Sequence, residues 1–161
     1  MEVGRNSLPN QDFLKKIRKF ATKNKIVLIF DECTSGFRRN LGGLHMTQKI
    51  YPDMCMFGKA LGNGFAITAV IGKKDIMYKA KNSFISSTFW TERIGFLAGI
   101  RTIEVMKKIK SWEKIIKNGK YLSKKIKELA KKYKLNLNVG GIESITYYSF
   151  SSKKNLKYKT F

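Results

Sequence analysis

Two charged residues stand where buried strands are expected to end in loops. Asp31 closes the apolar run 26–30, and Lys59 follows the apolar segment 54–57 within the glycine-framed stretch GKALGNG. A lysine amine can form a Schiff base with an aldehyde, and a carboxylate can hold a protonated ring nitrogen. An acid and an amine on neighbouring strand ends therefore suit a cofactor that carries both an aldehyde and a basic ring.

The elements that must position this pair can be predicted from hydrophobic periodicity. The β-branched and aromatic run at 26–31 is typical of a strand buried on both faces of a parallel sheet. Further strands are predicted at 53–58, 66–72, 135–139 and 144–150, and helices at 12–24, 43–50, 92–109 and 112–133. Alternation of strand and helix in the first part predicts an α/β fold with a parallel sheet. Lysine-rich helix and strand follow, so we place residues 1–105 in one domain and residues 106–161 in the next.

The net charge of +22 is compatible with a basic nucleic-acid-binding domain. However, the lysines are spread along the chain and fall on the polar faces of the predicted helices. The chain is also rich in Ile and Asn, which is typical of AT-rich coding DNA and raises lysine content without selection for a partner. A solvated lysine-rich surface is therefore favoured over a specific nucleic-acid site.

The sequence contains no clear signal for a membrane span, for secretion or for a metal site. No stretch approaches the apolar length of a membrane span, and the first twenty residues lack the apolar core of a secretion signal. Cys33 and Cys55 have no CxxC spacing, so we expect reduced thiols in a cytoplasmic protein without membrane association. His45 is the single histidine and does not make a metal site alone, so no metal is expected.

Ordered motifs carry a resemblance to a known family: LIFDECTSGFR at 28–38, YPD at 51–53, GKALGNG at 58–64 and STFWTER at 87–93. Their order and spacing resemble the class-III pyridoxal-phosphate aminotransferases of fold type I, and most of all the branch around glutamate-1-semialdehyde aminomutase. The resemblance implies part of a large cofactor-binding domain, with a mostly parallel sheet and helices on both faces. The start of a small α+β domain would follow it.

The resemblance also implies roles for individual residues. Lys59 would be the catalytic residue, binding pyridoxal 5′-phosphate in a desolvated, glycine-framed pocket and later moving a proton. Asp31 would pair with the pyridine nitrogen. Cys33, which stands where the family usually has Val, would pack against the ring face. Thr34 would either hydrogen-bond the phenolic oxygen of the cofactor or be an ordinary loop residue.

Other positions keep two interpretations. Ser87 and Thr88 resemble the segment that reaches the cofactor phosphate of a neighbouring subunit, or one of them caps the helix at 92–109. Glu32 lies near the site or pairs with one of the arginines at 38 and 39. His45 matches no catalytic position of the family and is expected on the surface or in a supporting role.

The family's domain is two to three times longer than this chain. The resemblance therefore implies a partial chain that lacks the N-terminal half, with its phosphate-binding turn and ring-stacking aromatic residue. We expect pyridoxal-phosphate-dependent amino-group transfer between a small-molecule amino donor and a carbonyl acceptor, in a homodimer that shares its site across the interface. The alternative is a truncated and inactive fragment of such an enzyme.

Overall fold

The computed structural model describes residues 10–150. The helices are α1 (Gln11–Lys23), α2 (His45–Gln48), α3 (Lys74–Tyr78), α4 (Arg93–Ile109) and α5 (Ser111–Lys132). The strands are β1 (Ile29–Asp31), β2 (Met54–Phe57), β3 (Ala69–Gly72), β4 (Leu137–Gly140) and β5 (Tyr147–Phe150). Short 3-10 helices lie at Lys59–Leu61, Lys79–Asn82 and Glu143–Ile145. Each predicted helix and strand is present, and the α/β fold class is confirmed.

The central sheet has the order β1-β2-β3. β1 and β2 are parallel, with Ile29 opposite Met54 and Asp31 opposite Met56. β3 runs antiparallel to β2, because the chain returns at residues 58–68 without a crossover helix. Cys55, Phe57 and Leu61 form the buried centre of this part of the molecule. Because β1 and β2 are parallel, their carboxyl ends lie at the same edge of the sheet.

The expectation that the first strand is buried on both faces is wrong for the described residues. The side of β1 that carries Ile29 is open, with Ile29 itself 49% exposed. The reason is that no helix of residues 10–150 packs extensively on this face, and the main contact of β1 is with β2. Phe30, which points to the opposite face, packs against the buried centre. One face of β1 thus presents apolar surface to solvent.

Asp53 fixes the start of β2 against its neighbours. Its Oδ2 accepts hydrogen bonds from the Leu28 amide and from Arg18 of α1, both at 2.8 Å, and its Oδ1 lies 2.6 Å from Lys73 Nζ. Burial acts to raise the pKa of this carboxyl, but the hydrogen bonds from Leu28, Lys73 and Arg18 together hold the pKa well below its ordinary value. Asp53 therefore remains ionised and ties α1, β1 and β3 to β2.

The second part of the chain is built on α5. This helix packs against the 3-10 helix Glu143–Ile145 and against β4, which pairs antiparallel with β5. A side chain at Gly119 would collide with the carbonyl oxygen of Glu143, so glycine permits this close approach. Glu143 also forms an ion pair with Arg39, at 2.5 Å, and so links this part to the loop after β1.

The two sheets lie on either side of α4 and α5 in the chain, and α4 runs without a break across residues 105 and 106. The domain boundary at that position stays a prediction, and the ends of the two predicted domains, at 1–9 and 151–161, lie outside the described residues. Across 10–150, no helix combines the length and the apolar content needed to cross a bilayer.

Candidate active site

Asp31 and Lys59 lie at one edge of the sheet because their strands are parallel neighbours. Asp31 is the last residue of β1 and stands opposite Met56, three positions before Lys59. The pairing continues one residue further, where the Glu32 amide donates to the Met56 carbonyl at 2.9 Å. The lysine then begins a 3-10 helix directly after Gly58. Both charged groups are thus delivered to the loops beyond the same two strand ends.

Each of the two residues hydrogen-bonds to the loop that follows β1. The Cys33 amide donates to Asp31 Oδ1 at 3.0 Å, and Lys59 Nζ donates to Thr34 Oγ1 at 2.5 Å. A methyl group added at Gly58 would lie 3.3 Å from Cys33 Sγ, so the glycine brings the lysine loop against the cysteine. The loop after β1 therefore contacts the lysine loop through Cys33 and Thr34, and a contact of Thr34 with a cofactor stays a prediction.

The backbone at Lys59 is in the left-handed region, with φ of 44°. Residues other than glycine rarely adopt this backbone conformation. When one does, the surrounding structure usually imposes it. Several other lysines with positive φ follow the ends of helices, where this conformation is common. Lys59 instead opens the 3-10 helix Lys59–Leu61, and its carbonyl accepts from the Asn63 amide at 3.0 Å.

The predicted desolvated pocket around the lysine is wrong for the described residues, because Lys59 and Asp31 are both exposed. The donor set nevertheless fits an aldehyde cofactor with a ring nitrogen. It supplies an amine, a carboxylate and a hydroxyl on two adjacent loops, with the small Cys33 side chain close to Gly58. Within residues 10–150 these groups lie on a surface that is open to solvent.

Ser87 and Thr88 lie in the exposed segment between the 3-10 helix Lys79–Asn82 and α4. The prediction that one of them caps the helix is wrong, because the N-cap position of α4 is Glu92. Within this segment the Ser87 carbonyl accepts a hydrogen bond from the Trp90 amide at 3.3 Å. Their contact with a phosphate in a neighbouring subunit stays a prediction.

Glu32 is buried and is held by the loop that follows β1. Its Oε2 accepts from Ser35 Oγ at 3.1 Å and from the Leu44 amide. Its Oε1 lies 2.9 Å from the His45 amide and 2.7 Å from His45 Nδ1. The carboxylate thus anchors the start of α2 directly beside Asp31.

The predicted ion pair between Glu32 and an arginine is wrong. Arg38 donates to the Thr34 carbonyl at 2.7 Å, and Arg39 pairs with Glu143. The surface alternative for His45 is also wrong, since its side chain is 11% exposed and contacts Glu32, and the supporting role stays a prediction.

Cys55 completes this group, with its Sγ 3.4 Å from His45 Nδ1. Burial, and secondarily the charge of Glu32, raise the pKa of the Cys55 thiol to about 12. The sequence contained the three residue types, but 13 positions separate Glu32 from His45, and the fold of the connecting loop brings them together. No spacing rule predicts that loop.

Comparison with known families and curated proteins places these observations in context. The sequence matches the family described as "Aminotransferase class-III" over residues 2–158. It is 32% identical over 153 residues to a 3-aminobutyryl-CoA aminotransferase of Cloacimonas acidaminovorans, with 94% of this chain and 37% of the relative covered. It is also 32% identical over 155 residues to a glutamate-1-semialdehyde 2,1-aminomutase of Methanosphaera stadtmanae, with coverage of 94% and 36%. The chain therefore spans little more than a third of the length of these relatives.

Solved structures show the same fold. The FumI protein of Sphingopyxis sp. MTA144, in its PLP internal aldimine form, matches with a TM-score of 0.85 and 23% identity over 90% of this chain and 35% of that one. An omega-transaminase from Sphaerobacter thermophilus matches with a TM-score of 0.76 and 23% identity, covering 90% and 34%. At this level of identity the similarity establishes the fold alone.

Proposed function

We propose that this chain, which belongs to the class-III aminotransferase family, carries the cofactor-anchoring segment of a pyridoxal-phosphate-dependent enzyme, with Lys59 and Asp31 as its principal groups. Pyridoxal phosphate is the cofactor that the family implies. The observation that carries the proposal is the placement of a carboxylate and an amine beyond the ends of two adjacent parallel strands, with the amine hydrogen-bonded to Thr34 of the loop that follows the carboxylate. The net reaction is amino-group transfer, as transamination or as an internal amino shift.

The residues divide the work according to their chemistry. When bound, the cofactor supplies an aldehyde that links covalently to amines and a ring that accepts electrons. Lys59 Nζ would hold this aldehyde and would later move a proton at the substrate carbon. The Asp31 carboxylate would accept a hydrogen bond from the ring nitrogen and keep the proton on it. Thr34 Oγ1 lies 2.5 Å from the amine and would hydrogen-bond the phenolic oxygen, and Cys33 would pack against the ring.

The substrates that we propose are a small-molecule amino donor and a carbonyl acceptor, and the assembly is a homodimer. Ser87 and Thr88 support this assembly because they are exposed on a segment that also exposes apolar side chains, including Phe84 at 96% and Trp90 at 57%. In a dimer these hydroxyls would reach the phosphate of the partner's cofactor. Neither Cys33 nor Cys55 forms a disulfide within residues 10–150, which supports a cytoplasmic location.

A second candidate function is cofactor binding without turnover. It is favoured by the exposure of Lys59 and Asp31 and by the small share of its relatives that this chain spans. A site open on one side lets water reach the reacting atoms, which weakens the electrostatic control that amino transfer needs. The two candidates share the same anchoring residues and differ in whether product forms.

A titration with pyridoxal phosphate tests the anchoring claim. The purified chain should shift the cofactor's visible absorbance on binding, and the shift should vanish in Lys59→Ala and weaken in Asp31→Asn. The matched control is Lys49→Ala. Lys49 is also an exposed lysine with a positive φ of 55°, but it is not one of the residues that we assign to the cofactor. An equal loss in Lys59→Ala and Lys49→Ala contradicts the proposal. Formation of a keto product from an added amino donor then separates the enzyme from the non-turnover candidate.

A further inference from the structure

Three side chains with metal-binding atoms meet behind the cofactor-anchoring residues. They are Glu32 after β1, His45 at the start of α2 and Cys55 within β2, and one ligand atom from each lies within 4.8 Å of the other two. His45 Nδ1 is 2.7 Å from Glu32 Oε1 and 3.4 Å from Cys55 Sγ. These three residues, hereafter the Glu-His-Cys cluster, come from three separate elements.

The Glu-His-Cys cluster is enclosed and its members are held from behind. Glu32 is 3% exposed and Cys55 is 4% exposed. Hydrogen bonds from Ser35 and from backbone amides fix the carboxylate, as outer partners do for metal ligands. The His45 ring meets the edges of Phe30 and Tyr51, with ring centroids 6.2 and 5.9 Å apart.

The geometry does not suit nucleophilic catalysis by the thiol. A relay needs one ring nitrogen for the acid and the other for the nucleophile. Here His45 Nδ1 makes both contacts, to Glu32 and to Cys55. The thiol is also protonated in the absence of a metal, because burial raises its pKa to about 12. Proximity of these three groups therefore has no explanation in cysteine nucleophile chemistry.

We propose that the Glu-His-Cys cluster binds one divalent cation of the Zn²⁺ type. Carboxylate oxygen, imidazole nitrogen and thiolate sulfur are the three ligand types that Zn²⁺ uses in proteins. In a tetrahedral site with ligand bonds of about 2.0–2.3 Å, ligand atoms lie roughly 3.3–3.7 Å apart. The separation of 3.4 Å between His45 Nδ1 and Cys55 Sγ matches that range.

Binding requires limited rearrangement. Glu32 Oε1 gives up its hydrogen bond with His45 Nδ1 and becomes a ligand, and the proton of the Cys55 thiol passes to solvent as the thiolate forms. The imidazole binds through Nδ1 and carries its proton on Nε2. A water molecule fills the fourth position. The sulfur and nitrogen ligands select Zn²⁺, Co²⁺ or Cd²⁺ over Mg²⁺ and Ca²⁺, which prefer oxygen.

The bound ion would connect the end of β1 to β2 and to the start of α2. Glu32 is adjacent to Asp31, and Cys55 lies four residues before Lys59. The ion therefore acts as a structural clamp on the two strand ends that deliver the cofactor-anchoring residues. This proposal does not rest on the proposed function, because its three ligands are different residues from those that we assign to the cofactor.

Titration of the full chain with Co²⁺, in the absence of pyridoxal phosphate, tests this proposal. We expect one Co²⁺ per chain, with a thiolate-to-cobalt charge-transfer band and the intense visible bands of a tetrahedral ion. Cys55→Ser should abolish the charge-transfer band. The matched control is Cys33→Ser, which removes the other cysteine and should leave the spectrum unchanged. His45→Gln keeps both thiols and should weaken Co²⁺ binding by at least about tenfold.

Every other pattern overturns the proposal. An absent band, a band lost equally in Cys33→Ser and Cys55→Ser, or unchanged affinity in His45→Gln each shows that the Glu-His-Cys cluster is not the ligand set. Circular dichroism of each variant serves as the folding control. If Co²⁺ bound only to thiols of unfolded chain, Cys33→Ser and Cys55→Ser would weaken the charge-transfer band equally, and that result also contradicts the proposal.

Discussion

Asp53 shows how a single carboxylate can hold several elements. Its side chain is 6% exposed, and its three partners come from α1, the segment before β1 and the segment after β3. Removing one member of such a buried group leaves the others without a partner. The motif YPD at 51–53 marked this residue as part of the family resemblance, and its contacts now show that its role is structural.

We predict that Asp53→Asn lowers the free energy of unfolding by about 3 kcal/mol at neutral pH. Lys73→Ala is the control, and it should cost less than about 1 kcal/mol because Lys73 is largely exposed. Urea unfolding monitored by circular dichroism measures both changes.

The same measurement has a defined pH dependence. Since the pKa of Asp53 is lower in the folded protein than its ordinary value of 3.8, the stabilisation is complete above that value and is lost as the pH falls below it. The difference between the wild type and Asp53→Asn should therefore be constant from about pH 7 to about pH 5 and should shrink between about pH 4 and about pH 2. A difference that stays constant over this lower range would contradict the role assigned to Asp53.

The placement of Asp31 and Lys59 could be predicted from the sequence for a clear physical reason. Both residues follow apolar runs, and the carboxyl ends of parallel strands share an edge of the sheet, so both are expected beyond that edge. The Glu-His-Cys cluster could not be predicted, because it depends on how the loop after β1 returns to the sheet. The exposure of Lys59 was also missed, since a local pattern does not show which surfaces the rest of a chain covers.

At the scale of elements, the contact between α5 and the 3-10 helix Glu143–Ile145 depends on one glycine. Gly119 lies in the middle of a 22-residue helix, where alanine would be favoured by about 1 kcal/mol on helix propensity alone. A methyl group there would collide with the Glu143 carbonyl oxygen. Packing and propensity therefore act in opposite directions at this position.

We predict that Gly119→Ala destabilises the protein by about 1–3 kcal/mol, because backbone atoms cannot move aside as flexible side chains do. Asn118→Ala is the control: it is exposed on the same helix and should be neutral or slightly stabilising. Thermal unfolding of the two variants compares them directly. A higher melting temperature for Gly119→Ala would show that α5 does not pack closely against this segment.

The positions of the helices were predicted more accurately than the lengths and directions of the strands. Periodicity located α1, α4 and α5 within one or two residues, since an amphipathic pattern repeats over many turns. β1 is shorter than the apolar run that predicted it, because residues 26–28 precede the ladder with β2. The direction of β3 depends on the length of its connection, and apolar pattern alone carries no information on strand direction.

At the scale of the whole molecule, high positive charge and exposed apolar surface coexist. α4 exposes several large apolar side chains, among them Leu97 at 70% and Phe96 at 58%. A net charge of +22 repels other copies of the chain, and salt screens that repulsion. Association through α4 should therefore be opposed by charge at low ionic strength.

We predict that added salt strengthens self-association of the chain, as measured by sedimentation velocity. Leu97→Lys should weaken the association, whereas Leu122→Lys, at an exposed leucine of α5, should not. Association that weakens with salt would contradict an apolar interface. Complexes with DNA are expected to show the opposite dependence, because salt weakens phosphate contacts, so the same series separates a nucleic-acid-binding domain from a homodimer.

The central claim is that Lys59 is the amine that holds pyridoxal phosphate. The most direct measurement is borohydride reduction of the chain with cofactor, followed by proteolysis and mass spectrometry of the labelled peptides. We predict a single dominant label on the peptide that contains Lys59, and a reduced yield in Asp31→Asn. Label spread evenly over the many surface lysines, or undiminished in Lys59→Ala, would contradict the account.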